Sequence, residues 1–253
     1  MKTRQFLRWA SRIFGGMRAR TVFHSARYLR HNRRRQEHLA TLGLDLSNQT
    51  VLELGAGIGD HTSFFLDRNC RVVTSDGRLE NVSLLREKFS AQANVEVRTI
   101  DLDRPAAGRV GDDELFDIVY CYGLLYHLCR PDDALRFMAA HCSGMLLLES
   151  CVSFGDNLEV NFVAEDPSSP SQALAGSGCR PTRPWVVSQL AKLFEYVYVP
   201  RSQPRHEEFP VDWSPLAAAA WPPGRLSRAV FVASRRPLNS LMLLSELPST
   251  QTR

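Results

Sequence analysis

The stretch VLELGAGIGDHT, residues 51–62, constrains this chain more than any other. An apolar run leads straight into Gly55-Ala56-Gly57-Ile58-Gly59 and then into a segment of helical character. That order describes a buried strand, a tight turn and a helix. In open α/β sheets, ligands bind beyond the C-terminal ends of the strands, beside such turns. Glycines let the backbone take positive φ and approach a ligand closely. The helix that follows aims its unpaired N–H groups at an anionic part of the ligand. Taken alone the turn is a weak signal. The dinucleotide fingerprint G-x-G-x-x-G requires glycine at position 60, where this chain has Asp60.

The rest of the chain repeats the alternation. Apolar runs at 50–54, 71–75, 95–100, 116–121 and 144–149 predict strands buried on both faces, and the stretches 58–69, 79–91 and 131–142 predict helices. Strand–helix alternation at this spacing gives a parallel sheet of right-handed βαβ units. Residues 153–183 read as irregular, acidic at first and then rich in Ser, Pro and Gly. A helix at 184–194, a strand at 195–199, a Pro-punctuated loop of roughly 25 residues and a last strand at 228–234 complete the body. The tail after Pro237 carries Leu241, Met242, Leu243 and Leu244 for docking, with frayed last residues expected.

Glu53, two residues ahead of the first glycine, sits poorly beside a pyrophosphate. It suits a ligand with an ammonium, a sulfonium and a single carboxylate. Here the sequence resembles the class I S-adenosylmethionine-dependent methyltransferases, whose first motif is acid-x-Gly-x-Gly-x-Gly. Glu53, Gly55, Gly57 and Gly59 fill that motif, and the resemblance covers about 50–150, and more loosely the remainder. It points nearest to a poorly characterised bacterial group. It implies a Rossmann-like α/β fold, a seven-stranded, mostly parallel sheet flanked by helices, with an antiparallel last strand. It implies S-adenosyl-L-methionine as cofactor, held by Glu53, Gly55, Ala56, Gly57, Gly59, Asp76, Gly77, Asp101, Leu102, Cys121 and Tyr122. Asp76 would bind the ribose hydroxyls, unless it only caps the next turn. Asp101, or Asp103 two residues on, would meet the adenine amino group. FDIVYCYGLLYHL matches the motif that lies beneath cofactor and substrate.

His127 is the one histidine expected at the C-terminal rim of the sheet, and histidine suits proton removal near neutral pH. Its Tyr126-His127 context resembles many members of the family, including the bacterial wobble-uridine tRNA carboxymethyltransferases. It is the candidate base, or else a residue that shapes the cofactor pocket. In the family, the region 181–213 often shapes the acceptor site. Tyr126, Arg183, Trp185, Gln203, His206 and Trp213 are therefore the candidate acceptor residues. A lid whose aromatics only pack against the core is the alternative.

Charge is distributed unevenly. Residues 1–40 hold 11 Lys and Arg against the single acid Glu37, while the remainder carries 20 against 26. Phe6, Trp9, Ala10, Ile13, Phe14 and Met17 fall at helical spacing opposite Arg4, Arg8 and Arg12, predicting a basic amphipathic helix that ends at Gly15-Gly16. A second helix is expected at about 24–42, carrying Arg33, Arg34 and Arg35. This arm has three readings: a cap over the cofactor site, contact with an anionic membrane surface, or contact with nucleic acid. The expected organisation is an arm at 1–48, a methyltransferase domain at 49–236 with variable loops at 153–183 and 200–226, and a tail at 237–253. The six cysteines show no CxxC pair and no metal-ligand spacing, as expected of reduced structural thiols in a cytoplasmic protein without metal. No apolar run approaches the roughly 20 residues of a membrane span, and arginines interrupt the only candidate signal segment. The expected reaction is in-line methyl transfer to an O or N atom of a small or medium polar acceptor. The alternatives are a tRNA or rRNA methyltransferase and a non-catalytic cofactor-binding protein.

Overall fold

A computed structural model describes residues 15–104, 110–111 and 113–253. The helix expected at 4–14 lies outside these residues. The chain enters as α1 (15–23) and α2 (Ala26–Thr41), followed by β1 (Thr50–Leu54), α3 (Thr62–Leu66), β2 (Arg71–Asp76), α4 (Leu79–Lys88), β3 (Val95–Thr99) and β4 (Phe116–Tyr122). Next come a 3-10 turn (Leu125–His127), α5 (Pro131–Ala140), β5 (Cys142–Cys151), β6 (Val160–Ala164), β7 (Ser177–Pro181), α6 (Arg183–Ala191), β8 (Tyr196–Pro200), α7 (Pro215–Ala220), β9 (Arg228–Ser234) and β10 (Leu243–Leu244).

Eight strands form one sheet in the order β10-β8-β9-β5-β4-β1-β2-β3. β1 to β5 pair in parallel, whereas β9 runs antiparallel to both β5 and β8. The direction of winding reverses between β1 and β4, which leaves a crevice at their C-terminal ends. Side chains alternate between two apolar layers, as strand geometry demands. Val119 and Cys121 of β4 join one layer with Leu135 and Met138 of α5 and Leu190 of α6. Ile118, Tyr120 and Tyr122 join the other, with Leu39 of α2 and Phe64 and Phe65 of α3. Helix starts follow from local chemistry. The Ser25 hydroxyl accepts from the Tyr28 amide at α2, and Thr182 does the same for Trp185 at α6. Pro131, Asp132 and Asp133 open α5, where a missing N–H and negative charge suit the helix dipole.

Several expectations need correction. Gly15-Gly16 does not end a helix, because residues 15–23 are helical. A side chain at Gly15 would instead meet Cγ of Glu80 at 2.6 Å, so that glycine serves the close approach of α1 to α4. The helix expected at 58–69 is only Thr62–Leu66, since Gly57 and Gly59 at positive φ hold the preceding residues in a loop. β3 is the edge strand and is only partly buried. Residues 153–183 are not irregular: β6 and β7 pair antiparallel in a hairpin of their own. Among the described residues the sheet has eight strands rather than the seven expected, because β10 of the tail pairs with β8. The tail also does not fray. The Gln203 amide donates to the Thr252 carbonyl at 2.9 Å, and the Gln251 amide to the Val211 carbonyl at 2.7 Å.

Candidate active site

A cavity of about 430 Å³ opens at the crevice between β1 and β4. That size is ordinary for a small-molecule site. Gly55 and Gly57 of the glycine loop, Asp76, Asp101, Tyr126 and His127 line it. Val22, Phe23 and Tyr28 of the arm and Pro170 and Leu174 of the β6–β7 hairpin tip line it as well.

The glycine loop is tightly determined. Gly55, Gly57 and Gly59 all have positive φ. A Cβ on Gly55 would lie 2.8 Å from Leu124, and one on Gly59 would lie 2.4 Å from the Phe89 ring, so any other residue meets strain and collision together. Asp76, at the end of β2, accepts from the amides of Gly57 (3.0 Å) and Arg78 (2.8 Å) and from the Asn81 side chain (3.2 Å). Three of its roughly four lone-pair positions are thereby filled. Burial pushes its carboxyl up to about 6, against the pull of these hydrogen bonds. Beyond β3, Asp101 accepts from the Asp103 amide, and Asp103 accepts from the Cys129 amide, so the two acids share one turn at the cavity wall.

Glu53 is fully enclosed at the end of β1 and accepts from the hydroxyls of Thr62 and Thr74. Burial raises its carboxyl from 4.5 to about 7. It borders a void of about 10 Å³ behind the glycine loop. Arg35 Nε, Tyr122 Oη and His61 Nε2, on the same void, are buried without a hydrogen-bond partner. A carboxyl raised on folding makes the folded state bind its proton more tightly, so stability is lost as pH climbs from about 4.5 through 7. Glu53→Gln, which cannot ionise, is therefore expected to stabilise the ligand-free protein at pH 8, by up to about 3 kcal/mol. A melting temperature at pH 8 equal to or below that of the parent would contradict this.

Elsewhere in the lining, the Tyr126 ring has two guanidiniums near it, Arg180 at 5.0 Å and Arg228 at 4.8 Å, and Arg228 Nη2 donates to the Tyr126 hydroxyl at 3.0 Å. Arg228 Nη1 and Arg35 Nη1 donate to the two oxygens of the wholly buried Glu149, at 3.0 and 2.8 Å. His127 Nδ1 bonds Glu165 of the hairpin. Burial lowers the His127 imidazole despite the opposing pull of Glu165.

Correction is also due to the expectation of one histidine at the rim, because His31 of α2 lines the same cavity. His31, His206 and Glu208 bring their ligand atoms within 4.8 Å of one another. Glu208, however, is already held by Arg27 and Arg228, both at 2.7 Å, and burial with Arg35 and Arg228 drives the His31 imidazole far down. A divalent cation would sit among guanidiniums, so this donor set does not suit a metal.

Of the other expected site residues, Gly55, Gly57, Asp76, Gly77, Asp101, Leu102 and Tyr126 line the large cavity, and Ala56 and Tyr122 the small void. Gly59 and Cys121 line neither and are buried under the loop and within β4. Arg183, Trp185, Gln203 and Trp213 are displaced from the expected acceptor wall. Arg183 stacks 3.9 Å from the Trp213 ring and donates to the Pro248 carbonyl. Gln203 and Trp213 both donate to the Gln251 side chain at 2.9 Å. Trp185 belongs to the core. These side chains clamp the tail. His206 sits behind His31, ring to ring at 4.6 Å. Sequence reasoning missed Tyr28, His31, Glu165, Arg180 and Arg228. Only Arg228, opening an otherwise apolar strand, left a visible trace.

Among the described residues, arginines of the arm pair with acids of the body. Arg20 pairs with Glu87 (2.7 Å), Arg27 with Glu208 (2.7 Å), Arg30 with Glu207 (2.5 Å) and Arg35 with Glu149 (2.8 Å). Arg35, part of the basic run 33–35, is buried.

Comparison with known proteins adds the following. A family described as the methyltransferase domain matches residues 51–144. No curated protein matches the chain. Among solved structures, the chain is similar to the N-terminal domain of EvdMO1, determined with SAH and D-fucose. Identity is 23%, coverage 82% of this chain and 83% of that one, and the TM-score 0.57. It is similar to the magnesium protoporphyrin IX methyltransferase of Synechocystis PCC 6803 with bound SAM, at 15% identity, 92% and 96% coverage and a TM-score of 0.58. It is also similar to the 1,6-didemethyltoxoflavin-N1-methyltransferase of Burkholderia thailandensis, at 18% identity, 88% coverage of both chains and a TM-score of 0.53. Given the match over 51–144 and a sheet wound as in these proteins, the chain carries a methyltransferase domain of the class I, Rossmann-like fold.

Proposed function

We propose that the protein transfers a methyl group from S-adenosyl-L-methionine to an oxygen or nitrogen atom of a small or medium polar acceptor. The observation that carries this reading is one cavity lined by two chemically different sets of residues. The acids Asp76 and Asp101 with the glycine loop make one set, and Tyr126, His127 and the arginines Arg35, Arg180 and Arg228 the other. The first set suits a ribose and an adenine amino group, which offer donors. Glu53 and the unpartnered atoms around the 10 Å³ void suit the ammonium and carboxylate of a methionine tail. The solved neighbours bound to SAM or SAH, and the small-molecule acceptors named for two methyltransferases among them, support the same assignment.

The sulfonium supplies an already activated methyl group, so the protein contributes position and dryness rather than covalent help. Phe23, Tyr28 and the hairpin tip exclude water. Tyr126 and His127 meet the acceptor. The arm acts as a cap, a reading supported by the lining residues Val22, Phe23 and Tyr28 and by the pairing of Arg20, Arg27, Arg30 and Arg35 with acids of the body. No helix among the described residues is long and apolar enough to cross a membrane.

Titration calorimetry with S-adenosylhomocysteine should give saturable binding with a Kd in the micromolar range common for enzyme ligands. Label from methyl-tritiated cofactor should pass to a small-molecule fraction and not to RNA. Absence of binding would sink the assignment. Label in RNA would replace the small-molecule acceptor.

A further inference from the structure

We propose that Glu165 is a positioning residue that keeps the His127 proton on Nδ1, leaving the Nε2 lone pair to the cavity, and that the acceptor atom is a hydroxyl oxygen. This rests on the methyltransferase reading above.

Glu165 is held by both of its oxygens. Its Oε2 accepts from the Ala173 amide at 2.8 Å, and its Oε1 from Arg180 Nη2 at 3.0 Å. Its side chain is 3% exposed. Burial alone would raise this carboxyl, but His127, Ala173 and Arg180 together outweigh it and hold it at about 2. An ionised carboxylate only accepts hydrogen bonds, so Nδ1 of His127 must be the donor in their contact. Among the described residues Nδ1 is the one ring nitrogen of His127 that takes part in a hydrogen bond, and the ring borders the cavity. A neutral imidazole held with Nδ1–H towards a carboxylate presents Nε2 as an acceptor.

The hairpin exists to bring this carboxylate in. β7 packs on the Leu125–His127 turn. A Cβ on Gly178 would lie 2.4 Å from the Tyr126 carbonyl oxygen and 2.6 Å from Glu165 Oε1. Arg180 Nη1 donates to that same carbonyl at 3.0 Å. Hairpin and turn are thus locked by backbone contact, which a base needs if its ring is to hold one orientation.

The oxygen follows from the company His127 keeps. The charged groups facing it are Glu165 just beyond β6, Arg180 from β7 and Arg228 from β9. The guanidiniums of Arg180 and Arg228 beside Tyr126 are fixed by their pairing with Glu165, Glu149 and Glu208. Such fixed N–H donors favour an oxygen that develops negative charge. An amine that arrives with its lone pair free needs no base, whereas a hydroxyl does. In the step, the acceptor O–H proton passes to His127 Nε2. The oxygen bonds the methyl carbon while the carbon–sulfur bond breaks and its electron pair stays on sulfur. The imidazolium so formed is neutralised by Glu165 and later releases its proton to water through the cavity mouth.

The test uses the full chain labelled with 15N-histidine and long-range 1H–15N correlation spectra, with His127→Asn to assign the ring. The parent should show Nδ1 protonated and Nε2 bare at neutral pH. Glu165→Gln should move population to the Nε2–H form and shift the His127 titration to lower pH, since the carboxylate that favours the imidazolium is gone. Glu165→Asp should restore the parent tautomer. A parent ring protonated on Nε2, or a Glu165→Gln spectrum identical to the parent's, overturns the positioning role. Incubation with methyl-13C cofactor and cell extracts should yield an O-methyl carbon signal. An N-methyl or C-methyl product, or no O-methyl product in any fraction, overturns the hydroxyl assignment. Failure to bind S-adenosylhomocysteine would instead strike the methyltransferase reading and leave the tautomer result to stand by itself.

Discussion

Glu149→Ala is expected to destabilise the protein by about 3–5 kcal/mol, the cost of removing one partner from a buried ion pair. Glu149 has no exposure and takes Arg35 on one oxygen and Arg228 on the other. Without it, two enclosed guanidiniums face each other with no charge between them. Arg228 would keep Glu208 and the Tyr126 hydroxyl, but Arg35 would keep only Asn32. The loss should therefore fall on the arm first. Denaturant unfolding should show a lowered midpoint, and limited proteolysis should cut between α2 and β1 faster than in the parent. A change below about 1 kcal/mol, the ordinary worth of an exposed pair, would show that Arg35 and Arg228 find other partners or water. Replacing Arg35, Glu149 and Arg228 together by apolar residues of like volume should cost less than the single change, because buried ion networks give back little of their desolvation cost.

Asp76→Ala should weaken S-adenosylhomocysteine binding by about 10- to 100-fold. One charge-assisted hydrogen bond is worth about 1.5–3 kcal/mol, and the three protein donors already on this carboxylate leave room for about one more. The figure includes part of the cost of freeing the Gly57 amide, which Asp76 also holds. The same carboxyl predicts a pH dependence. Burial places it at about 6, and a ribose hydroxyl needs the ionised form as acceptor. Affinity should be level above pH 7 and decline as pH falls below about 6. Calorimetry across pH 5–8 on parent and variant decides this, since the variant should lose the decline along with the affinity.

How much of this was legible beforehand differs between the two sets of cavity residues. The set proposed for the cofactor is written in contiguous signals: an apolar strand, a turn of required glycines, and an acid at the next strand end. Each depends on residues a few positions apart, so Glu53, Gly55 and Asp76 announce themselves. The set proposed for the acceptor is assembled from α2, the 125–127 turn, the hairpin and β9, and no local pattern links Arg35 to Arg228. The hairpin hid for a physical reason. β6 is mostly exposed and lacks the apolar alternation of a half-buried strand, so Glu165 looked like a solvated acid in a loop. Arg183, Trp185, Gln203 and Trp213 misled for the opposite reason. Aromatic and polar side chains in a long loop have the composition of a binding wall, and composition cannot show that the tail is what they bind. The basic run at 33–35 does not make one surface, because helical geometry sends successive residues to different sides. Arg33 is exposed and Arg35 is sealed under the cap.

That seal has a consequence for how the protein is made. Arg35 leaves the ribosome 114 residues before Glu149. At about 5–20 residues per second, Arg35 waits roughly 6–23 s for the carboxylate that balances it in the interior. Throughout that interval Arg27, Arg30 and Arg35 lack their acids Glu208, Glu207 and Glu149, while the parallel strands of the body emerge beside them. Nascent chains arrested before residue 149 should therefore recruit holding chaperones or anionic surfaces through the arm, and chains arrested beyond residue 234 should release them. The last stretch to emerge closes the first.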